Sequence, residues 1–440
     1  MDDSVFSSQF QAMHDAFADE GIAIEVAYTP SGRADYIYEA GRLLARADVV
    51  PGIHGVLLGV KELEQVLPGT PERPPLVVLD IDNLHDDQDR PYYLTVPQAL
   101  DLLDERLKIP NPALRGGFPL VTPVHILHIT QVINPDTVRT CPATEPEVPC
   151  CCCPPGEPCG PCPPPAAAGG ADVAIGICDS GLLADFGPAP WLAGVTGQVD
   201  PQGPPLLGGQ FAIPRYCGHG TFVAGVARSQ APQSTVFVAS DFIMAGGQRE
   251  WVIVQRLQAL VAGTLLATGS STPNPVPQVV NLSAGTYARR DWPLLSFSAF
   301  ENDGIILTAA AGNDATPRKF WPAAFEWAVA VGALGADQRN RAWFSNYGDW
   351  VNVYALGEGL INAFAIGEYT YQEPPKRPAT QVFNGLARWS GTSFAAPIVA
   401  GLIAAQMTTM GASADAATQA LLAQAVGQAM PGVGPVLYPR

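Results

Sequence analysis

Ten of the thirty residues between 141 and 170 are proline and seven are cysteine, in the run CPATEPEVPCCCCPPGEPCGPCPPPAAAGG. Proline fixes φ and has no N–H to give, so this run can enter neither a helix nor a sheet interior and stays extended. The Ala/Gly tail adds flexibility. Whatever folds must fold on either side, which divides the chain into residues 1–140, a linker 141–170 and residues 171–440. Two C-x-x-C pairs, Cys150/Cys153 and Cys159/Cys162, leave a zinc knot or a redox centre as the alternative to a plain tether. The Cys-Gly-Pro-Cys quartet has the letters of a redox motif, but no helix follows it to lower a thiol pKa.

The two sides differ in charge. Residues 1–170 hold 24 acidic and 10 basic side chains, whereas 171–440 hold 17 and 14, within a net charge of −17. Such a balance argues against a nucleic-acid partner. MDDSVFSSQFQAMHD lacks the basic head and apolar core of a secretory leader, and no run nears the roughly 20 apolar residues of a membrane span. The expectation is a cytoplasmic protein with no membrane partner.

Residues 1–140 read as a small α/β or α+β domain. VFSSQFQAMHDAFADEG has helical spacing and stops at Gly21, while KELEQVL and VPQALDLLDERL also read as helical. IAIEVAYT, YIYEAGRLLARA, PLVVLDID and VHILHITQVI read as strands. Asp80, Asp82, Asp86, Asp87 and Asp89 crowd one loop without the spacing or glycine of a calcium loop, so a solvated acidic turn is expected. His125 and His128, three apart on a strand, should face opposite ways rather than share a ligand.

From Ala171 apolar strands alternate with helices. VAIGICDSG is a strand, GHGTFVAGVARS a turn entering a helix, TVFVASDFI a strand, and WVIVQRLQALVAGTLLATG a helix. QVVNLSAG, IILTAAAGN and WAVAVGAL are further strands, with PLLSFSAFENDG read as a helix between the first two. This is the pattern of a mostly parallel sheet covered on both faces, whose active groups collect at strand carboxyl ends. Asp179, Ser283 and Asn313 each fall at or just after such an end.

Late in the chain, Gly391-Thr392-Ser393-Phe394-Ala395-Ala396-Pro397 leads into IVAGLIAAQM, an apolar helix with Pro397 near its start. Ser393 thus sits at the positive end of a helix, as suits a nucleophile whose intermediate carries an oxyanion. Taken alone, Gly-Thr-Ser reads first as an ordinary helix N-cap. A nucleophilic serine needs a base, and His219 is the one histidine after residue 128. That base needs a carboxylate to fix its tautomer, and Asp179 ends a buried strand.

In order, DSG at Asp179, GHGTFVAG at His219, NLSAG at Ser283–Gly285, AAAGN at Asn313, FSNYG at Phe344–Gly348 and GTSFAAPIVAG at Ser393 resemble a subtilisin-like (S8) serine peptidase over about 171–440. The resemblance implies a three-layer α/β domain with a mostly parallel sheet, acting as a serine endopeptidase on protein or peptide substrates. It implies Ser393 as nucleophile, His219 as base then acid, Asp179 as its orienter and Asn313 as an oxyanion donor. It further implies Ser283, Ala284 and Gly285 as an edge pairing with the substrate backbone, and Ala310, Ala311 and Gly312 as the wall of the primary pocket. No cofactor is expected for catalysis, with structural calcium left open.

Some positions depart from the family pattern. Phe222 stands where a second histidine is common, and Phe394 where methionine is. Phe320 falls where the family commonly has glycine at the pocket floor, which implies a shallow pocket for small side chains. Arg318 and Lys319 offer the contrasting expectation of an acidic preference, and a core phenylalanine without a specificity role is the third. Cys178 and Cys217, beside Asp179 and His219, read as buried small hydrophobes, with Cys217 a candidate for thiol sensitivity. The front domain is expected to inhibit or regulate the peptidase, as a prodomain would, or to recruit its substrate. The competing readings are a catalytically idle scaffold, an esterase and a metal or redox sensor.

Overall fold

The computed structural model describes residues 4–70, 73–108, 117–129, 144–149, 165–185, 189–203, 211–300, 304–373 and 376–439. The seven cysteines between 141 and 162 lie outside them.

The front domain runs α1 (Ser4–Asp19), β1 (Ile24–Tyr28), β2 (Ala34–Arg46), α2 (Val50–His54), β3 (Lys61–Leu67), β4 (Leu76–Asp80), α3 (Val96–Leu107) and β5 (Val121–His128). Its strands all pair antiparallel, which makes it α+β. KELEQVL is therefore β3, not a helix. It is the outermost strand of its sheet and keeps Lys61, Glu62 and Glu64 in solvent, a charged edge that discourages further pairing. α3 starts on a capping box, Thr95 with Gln98. Of the crowded aspartates, Asp80 and Asp82 face Arg42 and Asp86 faces Arg90.

The second unit runs β6 (Ala174–Asp179), β7 (Val195–Gly197), β8 (Ala212–Ile213), α4 (His219–Gln230), β9 (Thr235–Ser240), β10 (Gly247–Arg249), α5 (Glu250–Val261), β11 (Val279–Leu282), β12 (Ile306–Ala310), β13 (Val329–Leu334) and β14 (Val353–Leu356). There follow β15 (Leu360–Thr370), β16 (Thr380–Trp389), α6 (Thr392–Met410) and α7 (Ala414–Gly427). Seven strands form one parallel sheet in the order β14-β13-β12-β11-β6-β9-β7. Alternate residues face opposite layers. Ile175, Ile177, Val236 and Val238 meet α4 and α6, while Phe237, Val280 and Leu307 meet α5. Within PLLSFSAFENDG the described residues form a short 3₁₀ turn at Leu295–Ala299 rather than an α-helix.

α6 is the one helix among the described residues long and apolar enough to span a membrane, and most of it is buried inside this domain. Its apolarity all round is that of a central core helix. Pro397 lies five residues in from Thr392, inside α6 rather than at its first turn.

The front sheet does not stand apart. β10 adds to it as a further strand, antiparallel to β5, with Gly247 opposite His128 and Arg249 opposite Ile126. Leu44, Val66, Val78, Val124 and Leu127 of the front sheet share a core with α5. Arg289 and Arg290 each pair with both Asp101 and Asp104 of α3. Fully buried Glu250 accepts from His125 Nδ1–H at 2.9 Å and from Ser296 Oγ–H at 2.5 Å. His125 Nε2 in turn accepts the Arg289 N–H at 3.3 Å, so this histidine belongs to the interface.

Candidate active site

The carboxyl end of β6 delivers Asp179 and the first residue of α4 is His219, both about 1 % exposed. His219 Nδ1–H donates to Asp179 Oδ1 at 2.7 Å, and Ser180 N–H reaches the same oxygen at 2.7 Å. This fixes the tautomer, leaving the Nε2 lone pair for a proton. Nε2 is buried and has no hydrogen-bond partner among the described residues. Trp389 meets the imidazole edge-on at 5.4 Å and Phe394 lies at 5.3 Å, and with their own centres 5.2 Å apart the two rings crowd it from one side.

Ser393 is the second residue of α6, and its Oγ–H lies 3.4 Å from the Ser283 carbonyl. The interior proline has a local consequence here. In a helix the N–H of residue 397 would bond the carbonyl of residue 393, and proline has none. The Ser393 carbonyl instead accepts the Ser283 Oγ–H at 2.7 Å, and Ser283 Oγ accepts from Asn281 Nδ2–H at 2.9 Å. Pro397 thereby allows the helix of Ser393 to be tied to the strand end beside it.

Asn313 is oriented from one side only. Its Oδ1 accepts both the N–H and the Oγ1–H of Thr392 at 2.9 Å, and Thr392 Oγ1 accepts the Gly312 N–H at 3.1 Å. Among the described residues, the buried Asn313 Nδ2 has no hydrogen-bond partner. A buried donor without an acceptor is costly and calls for an oxygen that arrives from outside.

Phe320, fully buried, fills the space between the Ser283–Gly285 and Ala310–Gly312 runs. A Cβ on Gly285 would come within 2.3 Å of its ring, and one on Gly312, at φ +95°, within 2.5 Å of Asn346 Nδ2 and 3.1 Å of the ring. Arg318 does not turn into this space. Its guanidinium binds Asp35 and Asp291 at 2.6 Å and lies 4.7 Å from the Tyr287 ring centre. Lys319 sits over Trp321. Cys178 and Cys217 are wholly buried, and burial pushes both thiols up, which leaves Cys217 protonated and shielded.

Two further contributors had no sequence signal. The strand end of β5 lies against the edge that the resemblance assigns to substrate. His128 N–H donates to Gly285 O, and Gly285 N–H to His128 O, both at 3.0 Å, while Ile129 N–H reaches Gly246 O at 2.9 Å. Asp200, in a loop with no motif, braces the backbone next to Asp179 and His219. Its Oδ2 accepts from Ser180 Oγ–H at 3.0 Å and from Gly218 N–H at 2.8 Å, and Ser180 Oγ accepts the Gly220 N–H at 3.1 Å. Burial pushes this carboxyl up to about 6.

A raised folded-state pKa means that the native chain binds the proton more tightly than the unfolded one, so the stabilising contribution is full below about 4 and lost as pH rises to about 6. The thermal midpoint of wild type should therefore fall relative to Asp200→Asn across that window and run parallel to it above. The difference should reach up to about 3 kcal/mol. Parallel curves throughout would contradict it.

The profile of the subtilase family, peptidase S8, matches residues 170–433. A thermophilic serine proteinase of Bacillus sp. (strain AK1) is 33% identical over 190 residues, 42% of this chain and 41% of that protein. An intracellular serine protease of Paenibacillus polymyxa is 26% identical over 277 residues, 60% of this chain and 75% of that one. The chain thus spans under half of the first relative's length. Fervidolysin from Fervidobacterium pennivorans, described as a keratinolytic enzyme related to subtilisin, superimposes with a TM-score of 0.51 at 16% identity, over 91% of this chain and 60% of its own. With the profile covering more than half of the sequence and the fold agreeing, the chain belongs to the subtilase family.

Proposed function

We propose that this chain is a serine endopeptidase working through an acyl-enzyme on Ser393, and that its own front domain holds it latent. The observation that carries the reading is the reciprocal pairing of His128 with Gly285. An extended segment of the chain already lies across the edge beside Ser393, in the way a peptide adds to a sheet.

The chemistry follows from the site. His219 Nε2 takes the Ser393 Oγ proton as Oγ bonds to the scissile carbonyl carbon. The carbonyl oxygen becomes an oxyanion, which meets Asn313 Nδ2–H and the Ser393 N–H. Protonated His219, steadied by Asp179, returns the proton to the leaving amine as the C–N bond breaks. Water then repeats the sequence on the ester. The backbone-pairing edge favours peptides over simple esters, and the unpartnered Asn313 donor favours a working site over an idle scaffold.

Mass spectrometry of wild type beside Ser393→Ala, with a fluorophosphonate probe, tests the reading. Labelling at Ser393, with a released fragment ending shortly after Ile129 in wild type alone, is the expected result. An intact wild-type chain that also fails to label after the front domain is displaced by mild denaturant would sink it.

Within an active preparation, Asn313→Ala should lower kcat about 100- to 1000-fold with little change in KM. Equal turnover would remove Asn313 from the oxyanion site. Phe320 sets the proposed preference for small side chains before the cut. Phe320→Ala should raise kcat/KM for peptides with a large aromatic residue there at least about tenfold, since opening a pocket by a few methylenes is worth about 1–3 kcal/mol. Efficient cleavage after aromatic residues by wild type would overturn the assignment.

A further inference from the structure

β16 is the outer strand of the three-stranded sheet β16-β15-β8 and leads directly into the loop before Ser393. An outer strand offers a row of backbone groups to any extended chain. Here a piece of the proline-rich tract takes them. Glu147 N–H donates to Arg388 O at 2.9 Å, and Arg388 N–H to Glu147 O at 2.7 Å.

Charge reinforces the backbone. The Glu147 carboxylate meets both the Arg388 guanidinium and the Lys376 ammonium. Two residues earlier, Glu145 Oε1 accepts from Tyr369 Oη–H at 2.9 Å and Gln372 N–H at 2.7 Å, and its Oε2 from Glu373 N–H at 3.2 Å. Pro146 between them has no N–H to leave unsatisfied. The location is close to the chemistry. Thr144, Glu145 and Pro146 line a small cavity of about 20 Å³ together with Ile129, His219 and Trp389.

We propose that the outer edge of β16, with Tyr369, Gln372, Lys376 and Arg388, is a peptide-binding site for extended segments bearing two acidic residues two positions apart. The chain's own Glu145-Pro146-Glu147 fills it, and protein substrates carrying such a segment compete for it. The substrate role rests on the peptidase reading, whereas the binding itself does not. The site is separate from the Ser283–Gly285 edge, so a substrate held here is tethered beside His219 and presented to the cleft at raised local concentration.

The test uses the full chain with Ser393→Ala, so that nothing is hydrolysed, and a fluorescent Thr-Glu-Pro-Glu-Val-Pro peptide. The parent should bind weakly, because the tethered segment outcompetes the free one. Adding Glu145→Gln and Glu147→Gln should tighten peptide binding at least about tenfold, and speed hydrogen exchange at the Glu147 and Arg388 amides. Adding Lys376→Ala and Arg388→Ala should reverse the gain. A peptide with glutamine for both glutamates should bind at least about tenfold more weakly. No gain in the double variant, whether or not its amides exchange faster, overturns the proposal, as does equal binding of the glutamine peptide. Fluorophosphonate labelling of the Ser393 chain reports the peptidase reading separately.

Discussion

Burial of α6 under the parallel sheet is the constraint on which the site depends. The helix is apolar on every side because α4, α7 and β11–β14 all pack against it. That packing leaves its first turn little freedom. Thr392 at that turn holds Asn313 and Gly312, while the Ser393 carbonyl is held by Ser283. Ser393, Asn313 and the Ser283–Gly285 run, to which the proposed function gives the roles of nucleophile, oxyanion donor and substrate edge, therefore come from three elements yet are joined by neighbouring residues of one helix end. Preorganisation of this kind is what lets a few hydrogen bonds act strongly on a developing charge.

Much of this was legible in the sequence because parallel strands buried on both faces are continuous apolar runs, and their ends stand out as polar breaks. Asp179 after VAIGIC, Asn313 after IILTAAAG and Ser393 before an apolar helix are such breaks. What escaped the reading is instructive. KELEQVL has a helical composition, yet cross-strand pairing with β4 and an exposed edge decide its state, and neither is local. Pro397 looked like a first-turn residue because the helix start lies upstream, where small residues conceal it. Asp200 gave no signal, since its role is to accept hydrogen bonds from Ser180 and Gly218, which are close in space only.

The front domain makes contacts of three kinds with the rest of the chain. β5 gives backbone pairing, α3 gives ion pairs to Arg289 and Arg290, and the face packed on α5 gives apolar burial. The ion pairs are partly solvated and weaken with salt, whereas the backbone and apolar contacts do not. The acidic side chains Asp101 and Asp104 of α3 thus face Arg289 and Arg290, alongside the apolar contact on α5. His125 and Glu250 sit where these kinds meet, both out of solvent and each satisfied by the other unit.

The strand β10 is shared property. It belongs to the second unit in sequence but completes the front sheet in space, with Gly285 pairing with His128 of β5 from the other side. Seen without β5, the catalytic unit is a fabric with one thread drawn out. On the proposed reading, an extended substrate laid in that slot would mend the weave through main-chain atoms alone, which every polypeptide possesses. On the proposed reading the slot would supply grip without discrimination, and choice among sequences would fall to side chains.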